Sequence, residues 1–205
     1  MLNLTDSETG KIVRSIEAQL WHYAAQYDER KYPPAELARL RTAFATPHSI
    51  TENDILAALV WKYGHTSKPN FPKRHRQLAA RIALLWPQEG MRRAREAGDD
   101  LRRWSDRLPT AFITVCFLLH LVHYPDIPIL DINNYRSVNE HVAVLRPAHQ
   151  RKQKPSQFED LLLVREFSIA VMRGWESYGS SERPTGDLLD RYLMMYGKWL
   201  KSSRC

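Results

Sequence analysis

Glycine and cysteine are both scarce here, at eight and two of 205 residues. Cys116 and Cys205 stand far apart and give no disulfide framework. Cys116 lies in an apolar stretch and reads as a small core residue. There is no Gly-rich phosphate loop, internal repeat or low-complexity tract, and no convincing strand. No apolar run approaches the roughly 18 residues of a membrane span. The opening MLNLTDSETG lacks the basic-then-apolar pattern of a secretory leader. These absences argue against a disulfide scaffold and a membrane partner. The expectation is a reduced, cytoplasmic protein.

Hydrophobic residues make up 43% of the chain and charged residues 26%. That is enough for a core inside a polar surface, as one domain or two small lobes. The net charge is +7, and it is concentrated. Residues 62–107 hold 12 of the 30 lysines and arginines and 5 of the 23 acids. The rest of the chain balances. Such a region is either an electrostatic footprint for nucleic acid or a solvated pair of basic helices.

Helical periodicity runs throughout. Residues 5–28 read as one amphipathic helix through Ile12, Ile16, Leu20, Tyr23 and Tyr27. A second helix starts at Pro34 and covers Ala35–Ala45. Thr51 with Asp54 forms a capping-box start, and Gly64 terminates that helix. Within it, Trp61 reads as a core aromatic and Lys62 as a snorkelling cation. A helix over Pro72–Trp86 carries Lys73, Arg74 and Arg76 at its start, where cations oppose the macrodipole. Gln88–Asp106 reads as a charged surface helix with Arg92 and Arg93, and Gly98 is a point where it can divide. Ala143–Ser156 is a basic, proline-bracketed connection. Ser156 is placed to cap a helix to Tyr178, with Leu163, Phe167, Ala170, Val171 and Trp175 as its seam. A last helix follows Pro184–Asp187.

The chain is organised around Leu108–His141. Thr114–Leu121 is almost uninterrupted apolar sequence, the pattern of a helix buried on most sides. Pro125 and Pro128 end it. Asp131 then stands at an N-cap position ahead of Ile132, Tyr135 and Val138. Asp131 has two readings, a helix cap and a catalytic carboxylate, and one residue can be both. His120 and His123, three apart, begin a metal site only if a third ligand joins them. None is visible, so no metal is assigned.

The set of motifs resembles the helix-hairpin-helix DNA glycosylase superfamily over roughly residues 50–200. In that family a hairpin, an apolar helix, a short connection and a catalytic aspartate follow in order. Here Leu108, Pro109, Thr110 and Ala111 occupy the hairpin, and Thr114 stands at its threonine. Ile129-Leu130-Asp131 stands for the aspartate motif, and Arg136 for the arginine five residues on. Trp61-Lys62, Pro125–Asp131 and Leu189–Leu193 are similar, in order, to motifs of uncharacterised members of the superfamily.

The resemblance implies an all-α, two-lobed helical bundle. It divides the chain into an N-terminal helical hairpin (1–49), a central lobe with the hairpin and Asp131 (50–142), and C-terminal helices (143–205) that complete the second lobe. It further implies a DNA-binding protein, with double-stranded DNA favoured, that hydrolyses an N-glycosidic bond through Asp131. Lys62, Lys73, Arg74, Arg76, Arg92, Arg93 and Arg136 are the expected nucleic-acid contacts.

Departures from the family pattern limit the chemistry. The hairpin glycines, which let backbone amides approach a phosphate, are absent. Ile113 replaces the lysine of bifunctional members, which excludes a Schiff-base lyase step there. The four-cysteine iron–sulfur pattern is missing, so no cofactor is expected. The alternative is a helical module that kept the scaffold and binds nucleic acid or protein without catalysis. No protein partner can be named from the sequence. A base flipped from the stack needs aromatic walls; Trp21, Trp61, Trp86, Trp104 and Tyr135 qualify by composition, though helical spacing makes most of them core.

Overall fold

A computed structural model describes residues 2–91, 96–150, 152 and 154–203. Among the described residues there are ten α-helices and no strand. They are α1 (Asp6–Glu17), α2 (Leu20–Ala24), α3 (Pro34–Phe44), α4 (Glu52–Lys62), α5 (Lys73–Glu89), α6 (Ala97–Arg107), α7 (Phe112–Val122), α8 (Ile132–Leu145), α9 (Phe158–Tyr178) and α10 (Gly186–Ser202). The expected all-α class is what the chain adopts. Two units form, Asp28–Ile127 and Met1–Tyr27 with Pro128–Cys205. The divisions thus fall at 27/28 and 127/128, where the sequence pointed to 49/50 and 142/143. Tertiary partners account for this: α3 packs on α4 and α7, while α8 packs on α9 and α10.

The middle unit is built on α7. Every residue from Thr114 to Val122 is buried, as the apolar run requires. α3, α4 and α6 contact it. Two expected signals fix α4. Thr51 and Asp54 cap each other's backbone amides, and Gly64 has a φ of +64°, a region that suits glycine. A side chain at Gly64 would also meet the Tyr32 hydroxyl at 2.8 Å. Trp61 is core: its indole N–H donates to Pro33 C=O at 3.0 Å, and its ring stacks on Phe117 at 5.3 Å. Trp86 donates to Pro47 C=O at 2.7 Å.

Helix boundaries near residue 90 differ from the sequence reading. α5 runs through Pro87 to Glu89. Pro87 has no amide to give Ala83 C=O and its ring crowds that carbonyl, but only two residues of helix follow it. Gly98 sits inside the first turn of α6 and divides nothing. Arg92 and Arg93 lie outside the described residues.

The terminal unit holds α1, α2, α8, α9 and α10. The expected helix over 5–28 breaks at Gln19, whose φ of −125° leaves the helical region and whose side chain turns back to Ser15 C=O. The break lets α1 pack on α9 while α2 packs on α10. The N-cap of α9 is Gln157 rather than Ser156. Phe167, Val171 and Trp175 are buried as expected, joined by Leu161 and Val164, whereas Leu163 and Ala170 are half-buried. α8 continues to Leu145, and Arg146 then forks onto Glu8 at 2.7 and 2.8 Å. That fork, with the Thr5 amide, holds the Glu8 carboxyl down at about 2.

Candidate functional site

Asp131 caps α8. Its Oδ1 accepts the Asn133 and Asn134 amides at 2.6 and 2.8 Å, which satisfies two donors a helix start leaves open. The residue is half-buried. The strand-like approach to it is pinned by Asn134, whose side-chain N–H donates to Ile129 C=O at 3.2 Å. Arg136 lies one turn further on. It donates to Asn133 Oδ1 at 3.0 Å and to Gly197 C=O at 2.9 Å, so it links α8 to α10.

The hairpin residues join α6 to α7 in the middle unit. Leu108 and Ala111 are buried, and Pro109 and Thr110 are exposed. The Ala111 amide donates to Leu108 C=O at 2.9 Å, closing a four-residue turn. Ala111 is the N-cap of α7, and no side chain caps that first turn. Thr114 is buried and shares a hydrogen bond of 2.7 Å with the Tyr63 hydroxyl.

The basic residues divide by environment. Lys73, Arg74 and Arg76 are exposed in the first turns of α5, which has no acid there and no side-chain cap. The helix dipole adds to their positive field. Arg76 also donates to Phe71 C=O at 3.2 Å. Lys62 is half-buried, its ammonium 5.2 Å from the Phe117 ring centre, as a snorkelling cation would be. The structure therefore gathers Lys73, Arg74 and Arg76 on one helix start. Asp131 and Arg136 belong to the terminal unit.

His120 is held by hydrogen bonds rather than placed for a metal. Its Nδ1 lies 2.6 Å from Ile127 C=O and so carries the proton. Nε2 then accepts from the Arg41 guanidinium at 3.1 and 3.0 Å. His123 Nε2 sits 3.4 Å from the buried Asp100. Among the described residues no group of three or more His, Cys, Asp or Glu is placed to hold a metal, and no helix is long and apolar enough to cross a membrane.

One arrangement escaped the sequence reading. A pocket of about 320 Å³ in the terminal unit is lined by Tyr135, Asn139, Arg146, His149, Lys152 and Asp160, among others. The Tyr135 hydroxyl donates to Asp160 Oδ1 at 2.6 Å. Asp160 also receives the Ser156 and Gln157 amides at 2.8 and 3.1 Å and Lys152 at 3.3 Å. Burial pulls its carboxyl upward, but these donors outweigh it and hold the group below its usual value. Burial, and then the bond to Asp160, push the Tyr135 hydroxyl well up. These polar groups consume one another, which favours a rigid α8–α9 joint over proton transfer. Tyr135→Phe leaves the buried Asp160 one donor short and is expected to cost about 1–3 kcal/mol. An unchanged urea midpoint contradicts this. The signals in the sequence were the Gln157–Asp160 capping spacing and the shared helix face of 135, 139, 142 and 146.

Of the aromatics considered for a base pocket, Trp61, Trp86, Trp104 and Tyr135 are buried, and Trp21 is 68% exposed. Comparison with family models, curated proteins and solved structures gives no match.

Proposed function

We propose that the chain is a DNA-binding protein of the helix-hairpin-helix glycosylase type, with Asp131 as the carboxylate of a monofunctional base-releasing reaction. One observation carries the reading: α6, a four-residue turn at Leu108–Ala111, the buried apolar helix α7 and an aspartate at the start of α8 follow in the family's order. An α7 start without a side-chain cap and the exposed cations of α5 suit a phosphate backbone. A carboxylate near the sugar would stabilise the positive charge that builds as the base leaves, and would orient water.

A specific observation favours a second reading, a binding module without chemistry. Asp131 Oδ1 already serves two amides, and Arg136 is committed to Asn133 and Gly197.

Two substitutions separate the readings. Asparagine caps a helix about as well as aspartate, so Asp131→Asn keeps the fold and removes the charge. The catalytic reading expects Asp131→Asn to abolish base release from a damaged-base duplex panel at undiminished DNA affinity. Asp131→Ala loses the cap as well and is expected to lower stability by about 1 kcal/mol. Wild-type rates of base release in Asp131→Asn sink the catalytic role. Stable DNA binding with no release from any substrate by the wild-type protein leaves the binding module.

A further inference from the structure

We propose that the outer end of an aromatic column on α10 is a base-stacking site for single-stranded nucleic acid. Tyr192, Tyr196 and Trp199 stack in sequence, with ring centres 5.6 and 5.7 Å apart and planes within 11° and 15°. The spacing of four and three residues is that of one helix face. The column is graded: Tyr192 is fully buried, Tyr196 half-buried, and Trp199 46% exposed. Tyr23 of α2 touches all three rings, at 6.1, 5.1 and 5.8 Å. His141 anchors the inner end at 3.0 Å from the Tyr192 hydroxyl. Rings fixed on several sides offer Trp199 in one orientation, with little side-chain freedom left to lose on binding.

Charge around the exposed ring suits a polyanion. Within four residues of Trp199 on α10 the charged side chains are Lys198 and Lys201, with no acid among them. Residues 18–27, which include α2, contain no acid either. The acids of α10 are Asp187 and Asp190, and the nearer precedes Trp199 by nine residues, about 13 Å along the helix. Flat aromatic surface flanked by cations is how proteins bind single strands without reading their sequence. A protein partner fits less well. Trp21, Val144 and Trp199 are the large apolar side chains exposed among the described residues of this unit. Three side chains fall well short of the roughly 800 Å² per partner of a stable interface.

This site does not depend on the hairpin or on Asp131. The test titrates the full chain with fluorescein-labelled dT12 at low salt, followed by anisotropy and by tryptophan emission, with duplex DNA in parallel. Trp199→Ala is expected to weaken dT12 binding by about 5- to 150-fold, the range for one stacked base. Trp199→Phe keeps a ring and is expected to stay within a few-fold of wild type. Part of the emission quenching seen in the wild type is expected to vanish in both variants. Because Trp199→Phe preserves the core contacts, it guards against a simple folding failure of Trp199→Ala. Equal dT12 affinity in wild type and Trp199→Ala overturns the proposal. So does equal loss in both variants, or a Trp199-dependent dimer that binds no dT12. Binding of dT12 without duplex binding overturns the hairpin reading and supports this one; duplex binding without dT12 binding overturns this one alone.

Discussion

Gly197→Ala is expected to destabilise the protein by about 3 kcal/mol or more, as a core overpacking does at its upper end. A Cβ at this position would stand 2.0 Å from the Asn133 carbonyl oxygen and 2.6 Å from its carbon. Both are backbone atoms at the start of α8, so no rotamer change makes room. α8 and α10 would have to part, and the Arg136 bond to Gly197 C=O would go with them. Helix propensity argues the other way: alanine in place of an interior glycine gains about 1 kcal/mol. The sign of the effect therefore decides between the interhelical contact and local preference. Urea denaturation reads it directly. A midpoint at or above wild type contradicts the close approach of the two helices.

The second large effect is on pH. His141 is enclosed by Phe167, Tyr192 and Tyr196, with ring centres 5.8, 6.0 and 5.2 Å away. Burial depresses its pKa from 6.5 to about 4, opposed only weakly by Glu140. The folded state thus holds a neutral imidazole where the unfolded chain binds a proton. Stability is full above pH 6.5 and is lost as pH falls towards 4; below that the folded state takes up the proton too. A shift of this size is worth about 3 kcal/mol in all, of which about 2 is expected to go between pH 7 and pH 5. His75, also depressed by burial, adds in the same direction. Glu8 and Asp160, whose pKa values are lowered, lose their contributions at lower pH, so the window above pH 5 belongs to the histidines. His141→Phe is expected to remove its share of the slope, leaving a shallower fall over pH 7 to 5. An unchanged slope would mean the imidazole titrates alike in the folded and unfolded chain, as a solvated one does.

Local signals in the sequence were the ones that carried through. The Thr51–Asp54 box, the left-handed Gly64, the buried run of α7 and the Asp131 cap each depend on residues within a few positions of one another. The missed features depend on distant partners. Nothing near Gly197 announces that Asn133 passes within contact distance, and Asp160 became a centre only once α9 brought it to Tyr135. The break at Gln19 is of the same kind, since two different helices claim the residues on either side. At the candidate site, the cap and the exposed cations at the start of α5 were legible. The commitment of Arg136 to Gly197 was not, because that carbonyl lies 61 residues away.

Binding of the full chain to a short DNA duplex across a salt series tests the central claim most directly. Tight binding at low salt is expected, with a logarithm that falls linearly with log salt, by about 0.9 per phosphate contact. Neutralising Lys73, Arg74 and Arg76 together is expected to reduce that slope by roughly the same amount per cation lost. Absence of duplex binding even at low salt would contradict the account, and would leave a helical protein whose partner is not double-stranded DNA.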